Sequence, residues 1–301
     1  MQSDNPMFIG PTQTAHFIVA RHKISLVVLF IQLAPFCLGA LNLTIFVLER
    51  DGVLTVAFLD VGQGDAIYVE TPHGNQVLID GGKGRAVLRA LGTQMSYFDR
   101  SIDMVIATHP DLDHIGGLPE VFKRFDVATF IESGVEDPGA ENKALHEAVQ
   151  NEGISLDTAR RGMTFMLDTE VMLEILFPDR EVTTFEPNTG SVVAKLTYKD
   201  TSFLFTGDSP AGIETYLTAV YREKLKSNVL KVGHHGSKTS SAELFLGFVD
   251  PEYAVISASC DNPYGHPHQE ILDRLEQFKA QVLSTCNLGT LTFTSNGETV
   301  T

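Results

Sequence analysis

The chain has 301 residues, 43% of them hydrophobic, with 22 basic and 38 acidic residues and a formal net charge of −16. That length holds one large domain or two of medium size. So acidic a surface repels phosphate backbones at long range and excludes a general nucleic-acid coat protein. Cys37, Cys260 and Cys286 are too few for a disulfide framework. A Cys260–Cys286 bridge is open, with free buried thiols the favoured expectation.

Residues 1–23 are polar and mixed and read as a short tail. Residues 24–48, ISLVVLFIQLAPFCLGALNLTIFVL, carry no charge and are long enough to cross a bilayer. Arg21 and Lys23 precede this run, and Glu49, Arg50 and Asp51 follow it. The positive-inside bias therefore predicts a single-pass anchor in the cell membrane, a cytoplasmic N-terminus and an external main domain. A signal peptide cleaved near Leu38-Gly39-Ala40 and a buried core helix are the competing expectations. With one span, the chain is not expected to form a membrane channel.

From residue 52 to the C-terminus, short β-rich runs alternate with helical stretches. VLTVAFLDVG, AIYVETPHG and QVLIDGG predict three closely spaced strands. Residues 86–94 predict a helix, MVIATHP a buried strand, 118–125 a helix and VATFIES a strand. A helix over 141–152 is stopped by Gly153. Strands then fall around 163–177, 191–199 and 202–207, with a helix at 211–222. The strands VLKVG, YAVISAS, QVLST and TLTFT close the chain, with helices near 241–248 and 268–279. No Pro- or Ser-rich linker divides this stretch, so 52–301 reads as a single α/β domain with layered sheets.

Several apolar runs end directly in acids or histidines, where a rigid sheet presents functional groups. MVIATHPDLDHIGG runs from a buried strand into His109, Asp111, Asp113 and His114. Loop residues two apart project the same way, so His109 and Asp111 can face one cation, and Asp113 and His114 a second. Imidazole with carboxylate suits zinc, manganese or iron. TSFLFTGDS delivers Asp208 from a sheet edge. SNVLKVGHHGSKTSS delivers His234 and His235, as ligands or phosphate-facing groups. Asp60 and Asp65, on either side of the GQG turn, and Asp80, at the end of QVLI, are candidates to orient ligand histidines, or plain turn aspartates. The GQG stretch lacks the lysine and the glycine spacing of a phosphate-binding loop, so no nucleotide cofactor is expected.

Taken in order, DVGQGDA, LIDGG, THPDLDHIGG, FLFTGD, VLKVGHHGSKTSS and NPYGHPH resemble the metallo-β-lactamase-type hydrolase domain of the ComEC/Rec2 competence proteins, from about Val53 to Gly297. The resemblance implies an α/β fold, a four-layer αβ/βα sandwich with a metal site along one edge of the paired sheets. Here one N-terminal transmembrane helix would precede it. The implied cofactors are two divalent ions, zinc or manganese. His109, Asp111, Asp113 and His114 match the family's metal loop, Asp208 its bridging aspartate, and Asp80 the aspartate supporting the loop. His234 or His235 matches the later histidine, and His266 and His268 match a segment placed near the site. Two positions depart from the superfamily pattern. Asp111 stands where its loop has a second histidine, and Asn188 where many members have another. One metal position is then poorer in nitrogen, which favours manganese there over zinc.

The implied activity is metal-dependent hydrolysis of a phosphodiester, such as single-stranded DNA, with Asp113, His234 and His235 as catalytic residues. Arg222, Lys224, Lys226, Lys231 and Lys238 form a basic run able to offset the acidic surface. Two alternatives stand beside it. One is hydrolysis of a β-lactam, lactone, thioester or choline-phosphate ester; the other is a non-catalytic, membrane-anchored accessory of DNA uptake.

Overall fold

A computed structural model describes strand β1 (His16–Phe17) and residues 52–301. The span predicted at 24–48 lies outside the described residues, among which no helix is long and apolar enough to cross a membrane.

Two mixed sheets carry the fold. The first contains β2 (Leu54–Phe58), β3 (Ile67–Glu70), β4 (Gln76–Ile79), β5 (Ser101–Ala107), β6 (Asp126–Glu132) and β7 (Ser155–Thr158). The second runs β8 (Thr164–Asp168), β9 (Val171–Phe177), β10 (Val193–Tyr198), β11 (Thr201–Phe205), β12 (Val229–Lys231), β13 (Tyr253–Ile256) and β14 (Gln281–Ser284), with β1 beside β8. The C-terminal β15 (Leu291–Ser295) returns to the outer side of β2 in the first sheet. Each sheet is antiparallel in one half and parallel in the other: β4 to β7 in the first, β11 to β14 in the second.

Side-chain alternation along these strands sets the layers. Leu54, Val56 and Phe58 of β2 face the second sheet, where they meet Leu173, Leu196, Phe203 and Phe205. Ala57, Tyr68, Leu78 and Val105 point the other way, onto α1 (Ala86–Gln94), α3 (Leu118–Phe122) and α4 (Ala140–Glu152). Leu204, Leu230 and Ala254 of the second sheet pack against α5 (Ala211–Tyr221), α6 (Glu243–Val249) and α7 (Gln269–Gln277). One apolar core thus lies between the sheets and one on each outer face. Strands buried on both faces read as unbroken apolar runs, which is why β4, β11 and β12 were legible without alternation.

Three differences from the sequence expectations have local causes. β7 was not expected: its four residues are all exposed, so no hydrophobic period marks it, and only backbone pairing to β6 makes it a strand. The metal-loop sequence contains a separate short helix, α2 (Leu112–Ile115). The third is a correction: Cys260 and Cys286 are disulfide-bonded, with Cα atoms 5.0 Å apart, not free thiols. Because β13 and β14 are parallel neighbours, with Ile256 opposite Ser284, the segments leaving them emerge side by side. That brings Cys260 against Cys286, the second residue of the last short helix, α8 (Thr285–Leu288).

Candidate metal site

The parallel strands of both sheets deliver their following residues to one edge of the molecule. After β5 the chain turns through Thr108-His109-Pro110, and Asp111 caps α2. Asp113 then falls in the first turn and His114 in the last. His109 and His114 are fully buried, with ring centroids 4.1 Å apart. Asp80, at the end of β4 with φ +59°, turns its carboxylate beneath this loop. It accepts the Thr108 N–H at 2.8 Å, the Thr108 hydroxyl at 2.7 Å and the His114 Nδ1–H at 2.8 Å. A carboxylate on Nδ1 fixes the tautomer and leaves Nε2 free to bind elsewhere.

From the second sheet, β11 runs into Asp208, buried, whose N–H meets Ser191 Oγ at 3.3 Å. β12 runs into His234 and His235, both held at positive φ, +48° and +54°. Two successive non-glycine residues there cost about 1–3 kcal/mol each, strain that concentrates at functional sites. The twist sends the two rings different ways. His235 goes inward, its Nδ1–H donated to Ser257 O at 2.8 Å. His234 stays at the rim, a quarter exposed, with Nδ1 3.0 Å from Thr239 Oγ1. Sequence left open which histidine enters; the geometry puts His235 among the buried donors and His234 beside them.

Nε2 atoms thus converge on the Asp208 carboxylate. His114 Nε2 lies 3.4 Å from Oδ1, and His235, His234 and His109 Nε2 lie 3.4, 3.7 and 4.0 Å from Oδ2. His114 and His235 approach at 3.3 Å, Asp113 Oδ2 stands 3.4 Å from His235, and Asp111 Oδ2 stands 3.6 Å from His109. A tetrahedral cation with bonds of about 2.0–2.1 Å spaces its donors roughly 3.3–3.4 Å apart. Four of these contacts, His114 to His235, His235 to Asp113, and His114 and His235 to Asp208, have that spacing. Buried polar atoms are nearly always paired, yet His109 Nε2, Asp208 Oδ1 and Asn188 Oδ1 are buried without a hydrogen-bond partner. His109, His114 and Asp208 also form a compact donor triad, as do Asp113, His114 and His235. These residues fit divalent cations: His114 belongs to both triads, and Asp208 of the first also lies 3.4 Å from His235 of the second.

The electrostatics fit as well. Burial disfavours the His235 imidazolium, but the Asp208 and Asp65 carboxylates outweigh it and raise its pKa to about 9. Burial would raise Asp113, whereas hydrogen bonding to His235 and the charges of His114 and His235 hold it at about 2. His234 is lowered chiefly by burial, and His266 is lowered to about 4 by burial and by His234. Carboxylates and imidazoles packed this way hold protons that a cation displaces.

The remaining sequence candidates divide. Asp65 is buried, with Oδ1 3.4 Å from His235 Nδ1 and Oδ2 2.6 Å from Lys231 Nζ. Its GQGD turn packs onto the metal loop through Asp65 N–H to Asp113 O at 3.1 Å. Gly64 permits that approach, since a Cβ there would overlap the Asp113 carbonyl. Asp60, in contrast, is exposed; its carboxylate accepts the Gly62 N–H and its own N–H is donated to Thr290 Oγ1. Asn188 begins a 3₁₀ turn three residues before Ser191, which contacts Asp208. The His266 ring is 5.6 Å from that of His234 and 6.5 Å from that of His235, and His268 lies 5.0 Å beyond it.

The basic run does not act as one surface. Lys231 is fully buried in its ion pair, and Lys226 pairs with Asp250 at 2.8 Å; Lys238 is exposed on the site loop. Lys231 as the partner of Asp65 was missed. A lysine inside the buried run VLKV was the available signal, since such a charge needs a partner.

The two mixed sheets with a donor cluster on one edge define an α/β metal-site fold, and the sequence matches the Metallo-beta-lactamase superfamily over residues 59–260. The chain belongs to that superfamily. Within it, the chain is 31% identical to ComE operon protein 3 of Bacillus subtilis, over 79% of this chain and 32% of that protein. It is 32% identical to Recombination protein 2 of Haemophilus influenzae, over 77% of this chain and 27% of that protein. Both are ComEC-type competence proteins, so the resemblance seen in the sequence holds. The chain spans about a third of the length of these relatives. Among solved structures it superposes on CmlA, a diiron β-hydroxylase of Streptomyces venezuelae, with TM-score 0.53, 14% identity, and coverage of 79% of this chain and 53% of that one. Zn(2+)-bound PqqB of Methylobacterium extorquens gives TM-score 0.51 and 13% identity, covering 76% and 87% of the two chains. At those identities the likeness is one of fold.

Proposed function

We propose that this chain is a phosphodiesterase using two divalent ions, zinc or manganese, and acting on single-stranded nucleic acid. The observation that carries it is the convergence of His109, His114 and His235 Nε2 on Asp208, with buried donor atoms left unpaired. When bound, such ions supply Lewis acidity that acidifies water and neutralises charge on phosphoryl oxygens. The protein's own groups do the rest. Asp80 and Ser257 O hold the His114 and His235 rings by their Nδ1–H groups. Asp113 and Asp208 present carboxylate oxygens from opposite sheets. At the rim, the Thr239 hydroxyl donates to Ser237 Oγ and accepts the His234 Nδ1–H, which leaves His234 Nε2 free to take a proton from water and, once charged, to hold a phosphoryl oxygen or protonate the leaving group. Similarity to competence proteins supports a nucleic-acid substrate.

An anchored, external domain completes the reading. It is supported by the charge-free run at 24–48 and by the Cys260–Cys286 disulfide, since such bonds persist in oxidising compartments. The decisive experiment strips the full chain with EDTA and restores Mn²⁺ or Zn²⁺. Bis-(p-nitrophenyl) phosphate and single-stranded DNA are expected to be cleaved only after restoration, and nitrocefin not at all. Asp208→Ala and His114→Ala are expected to fold and to lose turnover. Cleavage that persists in both variants removes the proposal.

A further inference from the structure

Between β13 and α7 the chain crosses the rim of the ligand cluster as a loop carrying Asn262, Tyr264 and His266. The loop is fastened from within. Asn262 Nδ2 donates to Ser259 O at 2.8 Å and His266 O at 2.6 Å, and its Oδ1 accepts from Tyr264 N at 3.2 Å and His266 N at 2.9 Å. Its start is fixed by the Cys260–Cys286 disulfide and by Ser259 N–H to Gln63 Oε1, a residue of the GQGD turn. On this frame Tyr264 is stacked on His266, centroids 5.6 Å apart and planes inclined by 24°. His266 in turn lies 5.6 Å from His234. One face of the Tyr264 ring is covered, yet the residue is 62% exposed, so the other face is open to solvent.

We propose that Tyr264, backed by His266, is a stacking platform for a nucleobase adjacent to the phosphodiester held at the cluster. This rests on the phosphodiesterase reading and names what grips its substrate. The chain is strongly acidic, and two of the five cations of the basic run, Lys226 and Lys231, are engaged by carboxylates. Affinity for a polyanion cannot then come mainly from phosphate contacts. Base–aromatic stacking needs no charge, tolerates any sequence, and contributes about 1–3 kcal/mol per base. A ring held rigid before binding loses little entropy on contact. Tyr264 is a positioning residue for substrate and takes no part in proton transfer.

The test separates the platform from the chemistry. Fluorescein-labelled methylphosphonate oligothymidine and its abasic counterpart are titrated into the EDTA-treated full chain and followed by anisotropy. Their uncharged linkages avoid the acidic surface and resist hydrolysis. The base-bearing oligomer is expected to bind roughly 5–150-fold tighter, the ratio that 1–3 kcal/mol gives. Tyr264→Ala should abolish that preference and Tyr264→Phe should keep it; the residue is exposed, so both variants should fold. Equal binding of the two oligomers by the native chain, or a preference that survives Tyr264→Ala, overturns the platform. Failure of the metal-restored chain to cleave DNA while the preference persists overturns the phosphodiesterase reading alone.

Discussion

Replacing Lys231 by Met tests whether a buried charge pair ties the two sheets together at the site. The Lys231 ammonium lies 2.6 Å from Asp65 Oδ2 and 3.0 Å from Val232 O, and neither side chain of the pair is more than 2% exposed. At an effective dielectric of about 20, two charges that close attract by roughly 6 kcal/mol, most of which offsets the cost of drying them. Methionine keeps the apolar stem but leaves the Asp65 carboxylate buried, with only the imidazoles of His235, at 3.4 Å, and His114, at 4.0 Å, beside it. Removing one partner of such a pair costs about 3–5 kcal/mol. Guanidinium unfolding of the metal-free chain reads that loss as a lower midpoint at constant slope. Lys231→Met combined with Asp65→Asn removes both charges and should recover much of it, with a coupling of at least about 2 kcal/mol. A midpoint within about 0.5 kcal/mol of the native one, or a double variant that loses the sum of the singles, would refute the reasoning.

Three further outcomes are expected. Because His235 is raised to about 9, it is protonated at pH 7 in the metal-free chain, and Zn²⁺ binding should release protons; calorimetric heats independent of the buffer's ionisation enthalpy would contradict this. Burial pushes Glu214 up to about 7 despite its bonds from the Ser241 and Ala242 N–H groups, against an ordinary 4.5. Its stabilising contribution is therefore full below pH 4.5 and is lost as pH rises to about 7, by roughly 3 kcal/mol; Glu214→Gln should flatten the stability profile in that window, and an unchanged slope would count against it. Cys260→Ser opens a loop of 26 residues and should cost roughly 3.5 kcal/mol; an unchanged denaturation midpoint under non-reducing conditions would show that the loop is constrained without the bond.

The fold was legible where one dimension suffices. Apolar runs such as MVIATHP and FLFTGD announce buried strands whatever they pack against, and their polar ends mark the edge where side chains gather. Gly153 at φ +64° ends α4 where the sequence placed a stop. What depended on a third dimension was not legible. Asp60 and Asp65 flank the same GQG turn, but only folding decides that one faces water and the other His235. The choice between His234 and His235 rests on two left-handed residues, a conformation that sequence does not announce for histidine. The Lys231–Asp65 pair and the Cys260–Cys286 bond join segments that meet only because particular strands are neighbours. Tyr264 gave no signal in sequence beyond its place in NPYGHPH.

The ligand cluster draws on both halves of the chain: His109, Asp113 and His114 arrive from the first sheet, Asp208 and His235 from the second. A cation at their junction would therefore act as a fastener across the seam. Any ion that binds the assembled edge and not the open one adds stability by mass action, about 2.7 kcal/mol at a hundredfold excess over its dissociation constant. Metal supply would then govern how long the molecule survives proteases. Chelation should loosen it from this edge first, as the like-charged acids lose what holds them together.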